Sequence, residues 1–308
     1  MIRRCFNVIV ALIALSFSME TGAQVLPSLL MSQDAASVSM GSTGVASKAG
    51  AFAIENNVAA VVFAEQTMAA QAGFGVWQPS YANLKTIGLG GMYKVSPKIG
   101  IALDFKYLMM PSYSGVTGNG TDIRDSEFGP SELNLAAGLS YKIIDCLSAG
   151  LALRYAGSTL APEVSANVFA ADFGVFFQKN SVSAGLSLNN IGTDVKYSEA
   201  AYSQPMLVKA GAGYNLKMGT SELFLTAQAD FLFAGGFMAG AGCEYSFKEM
   251  VFARVGYHYG DAVNVIPSYA SFGLGLKFFG VTLDAAYLVA DSTSPMSNTM
   301  VFGLGYRF

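Results

Sequence analysis

A single histidine, His258, and three cysteines, Cys5, Cys146 and Cys243, are the residues of this chain best suited to ligate a metal or attack a carbonyl. Their spacing supports neither chemistry. No histidine, cysteine and carboxylate set falls at metal-ligand intervals. His258 lies four residues after Arg254, and the chain has no Gly-x-Ser-x-Gly elbow to supply a nucleophile. Neither Cys146, at an expected turn, nor Cys243, on the apolar face of a strand, has a histidine beside it to draw off its proton. The glycine pairs Gly88/Gly90, Gly211/Gly213 and Gly273/Gly275 open no helix, so they do not cradle a dinucleotide. Glycines at one parity of a strand mark close approach, at a curved wall or against material inside it. The expectation is a non-catalytic protein without metal or cofactor.

The charged residues say more, because of what flanks them. Asp104, Lys106, Arg154, Asp172, Lys209, Gln228, Asp230, Glu244, Arg254, His258, Lys277, Asp284 and Arg307 each stand between two apolar or aromatic neighbours. A strand turns successive side chains to opposite faces, so these polar groups share one face and their neighbours the other. The chain is 52% hydrophobic and 13% charged, yet beyond its first two dozen residues no apolar run is long enough to cross a bilayer as a helix. Such alternation fits a transmembrane β-barrel, where a charge on the lipid side at mid-membrane would cost roughly 2–4 kcal/mol. A water-soluble sandwich would need a second layer to cover the apolar faces, and no helices are available to form one. Met238, Phe176, Phe224 and Phe252 are large apolar exceptions on the lumen parity. Abundant Tyr and Phe suit the two interfacial girdles of a barrel.

With turn residues as punctuation, the alternation predicts strands near 67–78, 84–95, 98–110, 131–143, 147–157, 165–178 and 180–190. Seven more follow near 205–217, 221–233, 237–247, 250–259, 268–278, 280–290 and 297–308. The fold class expected is all-β, a fourteen-stranded antiparallel transmembrane barrel over 67–308. An even count places both ends on one side, and barrels of bacterial outer membranes keep periplasmic turns short and external loops long. The alternate connections obey this, with 111–130 and 191–204 the longest, which predicts periplasmic termini. Residues 1–23, with Arg3, Arg4, an apolar stretch from Phe6 to Phe17 and a small-residue end at Ala23, have the form of a secretory signal peptide. Residues 24–66 lack alternation. A barrel of this size leaves a lumen too wide for wall side chains alone, so this segment is expected to fold inward as a plug or hatch, with Gly41 and Gly44 at tight turns.

Several short runs resemble a known family. The run Asp34-Ala35-Ala36-Ser37-Val38-Ser39-Met40-Gly41-Ser42-Thr43-Gly44-Val45-Ala46 resembles the N-terminal signature of the PorV/PorQ family, FadL-type outer-membrane barrels of Bacteroidetes. Ser187-Leu188-Asn189-Asn190-Ile191-Gly192-Thr193, followed by Gln204-Pro205 and Lys209-Ala210-Gly211, is similar to the family's Asn-x-Gly strand end. Arg254-Val255-Gly256-Tyr257 and Asp284-Ala285-Ala286-Tyr287 are similar to two of its C-terminal strand motifs. Asn57-Val58-Ala59 stands where the family often has Asn-Pro-Ala, after Glu55 and Asn56, and Ala36 where an Arg is common. The resemblance implies a role in type IX secretion, docking folded C-terminal domains of cargo or partners in surface attachment. The external loops would supply the surface, with Tyr113, Arg124, Phe128, Tyr197 and Tyr202 as anchors. The competing expectation, also from the FadL type, is a transporter of long-chain fatty acids or other hydrophobic small molecules, with a lipid-like ligand in the lumen. Outer-membrane lipid is expected to surround the wall. At a net charge of −3 and with no basic stripe, nucleic acid is not an expected partner.

Overall fold

The computed structural model describes residues 26–117, 124–197, 200–260 and 265–308. The expected signal peptide, the loop residues Asp122 and Glu199, and part of the 260–267 connection lie outside the described residues. Fourteen antiparallel strands form a closed barrel. The first half is β1 (Met68–Trp77), β2 (Leu84–Ser96), β3 (Ile99–Met109), β6 (Ser131–Ile144), β7 (Leu147–Ala161), β8 (Val164–Lys179) and β9 (Val182–Gly192). The second is β12 (Leu207–Met218), β13 (Ser221–Leu232), β14 (Gly236–Phe247), β15 (Val251–Gly260), β16 (Tyr269–Phe278), β17 (Val281–Val289) and β18 (Met300–Arg307). Two small hairpins stand apart from the wall: β4 (Tyr113–Thr117) with β5 (Arg124–Phe128), and β10 (Val195–Tyr197) with β11 (Ala200–Tyr202).

All fourteen expected strands are present. The largest departure is β7, which continues to Ala161 because Ser158 and Thr159 still pair with Ala166 and Ser165 before a bulge. The seam is β1 against β18, with Phe74 opposite Phe302, and it is locked by Thr67 and Met68, whose N–H groups both donate to the Phe308 carbonyl at 2.7 and 2.9 Å. The expected faces hold as well. Leu103, Leu153, Phe169 and Leu274 are exposed on the outside, while Asp104, Lys106, Arg154 and Asp172 are buried on the inside. Cys243 pairs with Leu225 and Val255 on the outer parity.

Short turns gather at one end of the barrel, here the turn end, and the longer connections at the other, the loop end. Residues 26–66 lie between them, inside the wall. The segment forms a 3₁₀ turn at Pro27–Leu29, short helices at Ala35–Ser39 and Ala53–Asn56, and a 3₁₀ helix at Val58–Phe63. Asp34 caps the first helix by accepting the Ala36 N–H, and Asn57 caps the last by accepting that of Ala59. Val58, Ala59, Ala60, Val61 and Val62 are all buried, against β3, β6, β7 and β8.

Both ends of the wall share one side, but the first described residue of the inner segment does not join them. Leu26 is buried at the loop end among Ala156, Ala166, Val168, Val195 and Tyr197, whereas Phe308 closes the turn end beside Thr67. The physical reason is length. An even strand number constrains only where the barrel begins and ends, and the inner segment is long enough to run through the lumen from one mouth to the other.

Candidate functional site

Glu55 is the hub at the centre of the lumen. It is the lone carboxylate in the otherwise apolar stretch 51–62, apart from Asn56 and Asn57, and it is nearly fully buried. Its Oε1 meets the Lys106 ammonium at 2.6 Å, and its Oε2 accepts the Ser32 hydroxyl and the Gln33 N–H, both at 2.8 Å. Lys106 also donates to the carbonyls of Met31 and Ser28, so one ammonium from β3 gathers three points of the inner segment. Beside it the Glu132 carboxylate of β6 accepts the Ser28 N–H and hydroxyl, and Asn134 donates to the same hydroxyl at 2.7 Å. Lys209, from the opposite wall, donates to the Glu55 carbonyl at 3.3 Å. Asp104 shares the inner face with Lys106, and its carboxylate makes no hydrogen bond among the described residues.

The Asn-x-Gly motif builds a second node. β8 and β9 pair normally from Phe173 with Leu188 and again from Ala171 with Ile191, so Asn189 and Asn190 together face the single residue Asp172. Asn190 takes a left-handed φ of 60°, which asparagine tolerates better than most residues, and its freed N–H donates to Asp172 Oδ1 at 2.7 Å. The other carboxylate oxygen holds Arg154 at 2.9 Å, and Asn190 Nδ2 reaches the Pro205 carbonyl at 2.9 Å. Residues spread from 154 to 205 thus form one buried polar joint.

The wall from β12 to β16 holds the inner segment differently. Gln228 Oε1 accepts the N–H groups of Gly44 and Val45, both at 2.9 Å, and its amide donates to Asp230. Gly41 turns with φ 73° and donates its N–H to Ser271. Around that turn the wall is bare. A Cβ on Gly256 or Gly242 would collide with the Met40 backbone, one on Gly240 with the Gly41 carbonyl, and one on Gly273 with Ser39. His258 is fully buried, stacked on Tyr269 at 4.8 Å, with Nδ1 3.4 Å from the Gly41 carbonyl. On the inner segment, the Asn57 amide bridges the carbonyls of Val45 and Val175, and Gly44 is pressed against the Asn56 side chain.

Two spaces stand out in the lumen among the described residues. At the turn end a vestibule of about 380 Å³ is lined by Asp34, Lys48, Glu244, Arg254, Lys277 and Arg307, over Phe63, Phe176, Phe224 and Phe252. Arg254 there bridges Glu244 at 2.6 Å and Asp284 at 2.7 Å. Burial, reinforced by the negative charge of Asp284, pushes the Asp34 carboxyl up to about 6. On the loop side a space of about 50 Å³ lies among Glu55, Lys106, Arg154, Lys209, Asp230 and His258.

The loop residues separate into two groups. Tyr113 is exposed, meets Phe128 edge-to-face at 6.0 Å, and donates its hydroxyl to the Leu160 carbonyl at 3.0 Å. Arg124 lies on the second strand of that hairpin. Tyr197, expected to be an exposed anchor, is instead buried with Val195 over Leu26, and Tyr202 packs on the same cluster. The inward turn of Tyr197 follows from the apolar patch that the top of β7 and β8 would otherwise leave open. Glu55, Glu132 and Asn134 were not among the candidate site residues. The signal for Glu55 was present, since one carboxylate within an apolar stretch destined for burial requires a cation.

The fold is shared with solved structures. The Ralstonia pickettii toluene transporter TbuX superimposes with a TM-score of 0.65 at 13% identity, over 95% of this chain and 100% of that one. The Pseudomonas putida toluene transporter TodX gives 0.64 at 13% identity, over 91% and 99%, and a Pseudomonas aeruginosa FadL homologue 0.53 at 13%, over 93% and 99%. No curated protein matches the sequence. Residues 18–229 match the family described as type IX secretion system protein PorV, which takes in the signature at 34–46, the Glu55 hub and the Asn189–Asn190 joint. The chain is therefore a member of the PorV family built on a FadL-like barrel.

Proposed function

We propose that this barrel serves type IX secretion without catalysis, with its turn end toward the periplasm and its loop end outside. In this reading the inner segment seals the lumen, and the β4–β5 hairpin with its exposed Tyr113 and half-buried Phe128 docks the folded C-terminal domain of a secreted protein or a partner in surface attachment. One observation carries it: the inner segment is packed against the wall across the middle of the lumen, and the space of about 50 Å³ beside Glu55 on the loop side is room for a water or two. Short turns on the periplasmic side are the rule for bacterial barrels, which supports the orientation. The fold shared with two toluene transporters favours a second reading, in which the inner segment is a gate for a hydrophobic small molecule.

Native mass spectrometry of the full chain, extracted gently from its own membrane, tests both. The secretion reading expects secreted proteins that share a C-terminal β-domain, lost when residues 113–128 are trimmed. A lone barrel carrying a fatty acid or aromatic hydrocarbon inside would overturn it in favour of transport.

A further inference from the structure

The rim of the barrel is uneven at the loop end. The β7–β8 ladder continues up to Ala161 and Val164, whereas on the other side of β8 the ladder with β9 stops at Ala170 and Gly192. The next wall strand, β12, begins lower still, with Leu207 opposite Asn189. Beyond Gly192 the chain leaves the wall. Val195 and Tyr197 are buried over Leu26 against the inward side chains Ala166 and Val168, and the β10–β11 hairpin is a sheet of its own. Residues 164–169 of β8 therefore form an edge, roughly 20 Å long, with a strand on one side only.

The main-chain groups on the open side can be named. Gln178 donates its N–H to the Cys146 carbonyl on the β7 side, and successive residues of a strand turn these groups to opposite edges. The nearby interruptions lie in the partners, at Leu160 of β7 and at Asn189–Asn190 of β9, so the alternation runs unbroken along β8. Even residues thus serve the β7 ladder, and the N–H and C=O of Ser165 and Asn167 face the open side with the N–H of Phe169. Cover ends at the Phe169 carbonyl, which Gln204 Nε2 reaches at 3.4 Å while holding the Thr193 carbonyl at 2.7 Å. Among the described residues no strand pairs with this side of 164–169.

Exposed edges are normally blocked by a lysine, a proline or a bulge. Residues 164–169 carry none of these, and Val164, Val168 and Phe169 favour a strand. An open edge is not tolerated in hydrocarbon, and this one stands clear of it. Its outward side chains are the polar, exposed Ser165 and Asn167, beyond the exposed Phe169, whose ring lies 5.4 Å from that of Tyr155. On the far side of the same hairpin the Leu160 carbonyl accepts the Tyr113 hydroxyl. The edge is therefore continuous with the β4–β5 surface.

We infer that the open edge of β8 takes up an extended strand of the docked partner, turning the β7–β8 hairpin into a three-stranded sheet. Recognition would be through the main chain at Ser165 and Asn167, with an aromatic or β-branched side chain of the partner beside Phe169. A β-domain offers such a strand at the edge of its own sheet, and a helical partner does not. The inference rests on the secretion reading and names a contact made within it.

The test takes a secreted protein that the parent chain retains in native mass spectrometry, purified whole, and titrates it onto the full chain in detergent. Hydrogen exchange at single-residue resolution should slow on binding at the amides of Ser165 and Asn167. The variant S165P/N167P removes those two donors without touching the β7 ladder, and should bind on the order of tenfold more weakly. The variant N167A, which keeps the main chain, should bind as the parent does. The band shift on heating in detergent gels checks that the variants are folded barrels, and the single proline variants replace the double one if it fails this check. Binding that leaves exchange at 165 and 167 unchanged, and is undiminished in the folded proline variants, would overturn the inference while the secretion reading stands. Retention of no secreted protein by the parent chain would overturn both.

Discussion

Two walls of one lumen grip the same inner segment by different means. From β3 to β9 the wall reaches inward with charge: Lys106 takes Glu55, Glu132 takes Ser28, and Arg154 with Asp172 braces the Asn190 bulge. From β14 to β16 it withdraws, and Gly240, Gly242, Gly256 and Gly273 leave a bed for the backbone of residues 39–41. Ionic groups shielded from water are costly unless fully paired, so the first wall is specific in chemistry and intolerant of half a pair. The second is specific in shape and intolerant of added volume.

Breaking half of the ionic grip should have the largest effect. Lys106→Met leaves Glu55 charged and buried without its cation, and the expected loss is about 3–5 kcal/mol, read from urea unfolding of the refolded barrel. The double variant Lys106→Met with Glu55→Gln should recover much of that loss. If the two changes instead add, the pair is not the unit that holds this side. On the bare wall, Gly256→Ala should cost about 1–3 kcal/mol and Gly256→Val more, in the same assay. A charge-neutral, shape-neutral result there would mean that the inner segment does not rest on β15.

A smaller effect sharpens the contrast at the vestibule, where the two walls meet around Asp34. Its carboxyl is held at about 6 in the folded chain, against an unfolded value near 4. Below about pH 4 both states carry the proton and there is no contribution. Between the two values the unfolded chain ionises first, so stability falls as pH rises, and above about 6 the loss stays constant. Asp34→Asn keeps an oxygen for the Ala36 N–H and should remove this part of the pH dependence. An unchanged profile between pH 4 and 6 in the Asn variant would show that Asp34 is not the group responsible.

The wall was legible in the sequence because a strand repeats every two residues, and a single mid-strand charge such as Asp172 or Arg254 fixes which parity faces inward. The paired glycines were legible too, as places of close approach: Gly88 lies against Gln33, Gly90 against Phe52 and Gly211 against Val45. The inner segment could be assigned to the lumen by elimination, but its path could not, because no short-range period ties Ser28 to Glu132 or Gly41 to Ser271, more than a hundred residues away. The loop hairpins were missed for a related reason. Val195–Tyr197 and Ala200–Tyr202 are three-residue strands, too short for alternation to register, and only the apolar patch beneath them decides that Tyr197 turns inward.

The passage of residues 26–66 through the lumen also poses a problem of assembly. The segment is joined directly to β1, one side of the seam, while the other side is β18 at the far end of the chain. A closed and filled barrel offers no route by which some forty residues of polar backbone could later be drawn in past Lys106 and Arg154. A path in which the segment lies along the open sheet before the Met68–Phe308 contacts close it avoids that obstacle. Closing the seam joins residues far apart in the sequence, a non-local step of the kind that slows folding.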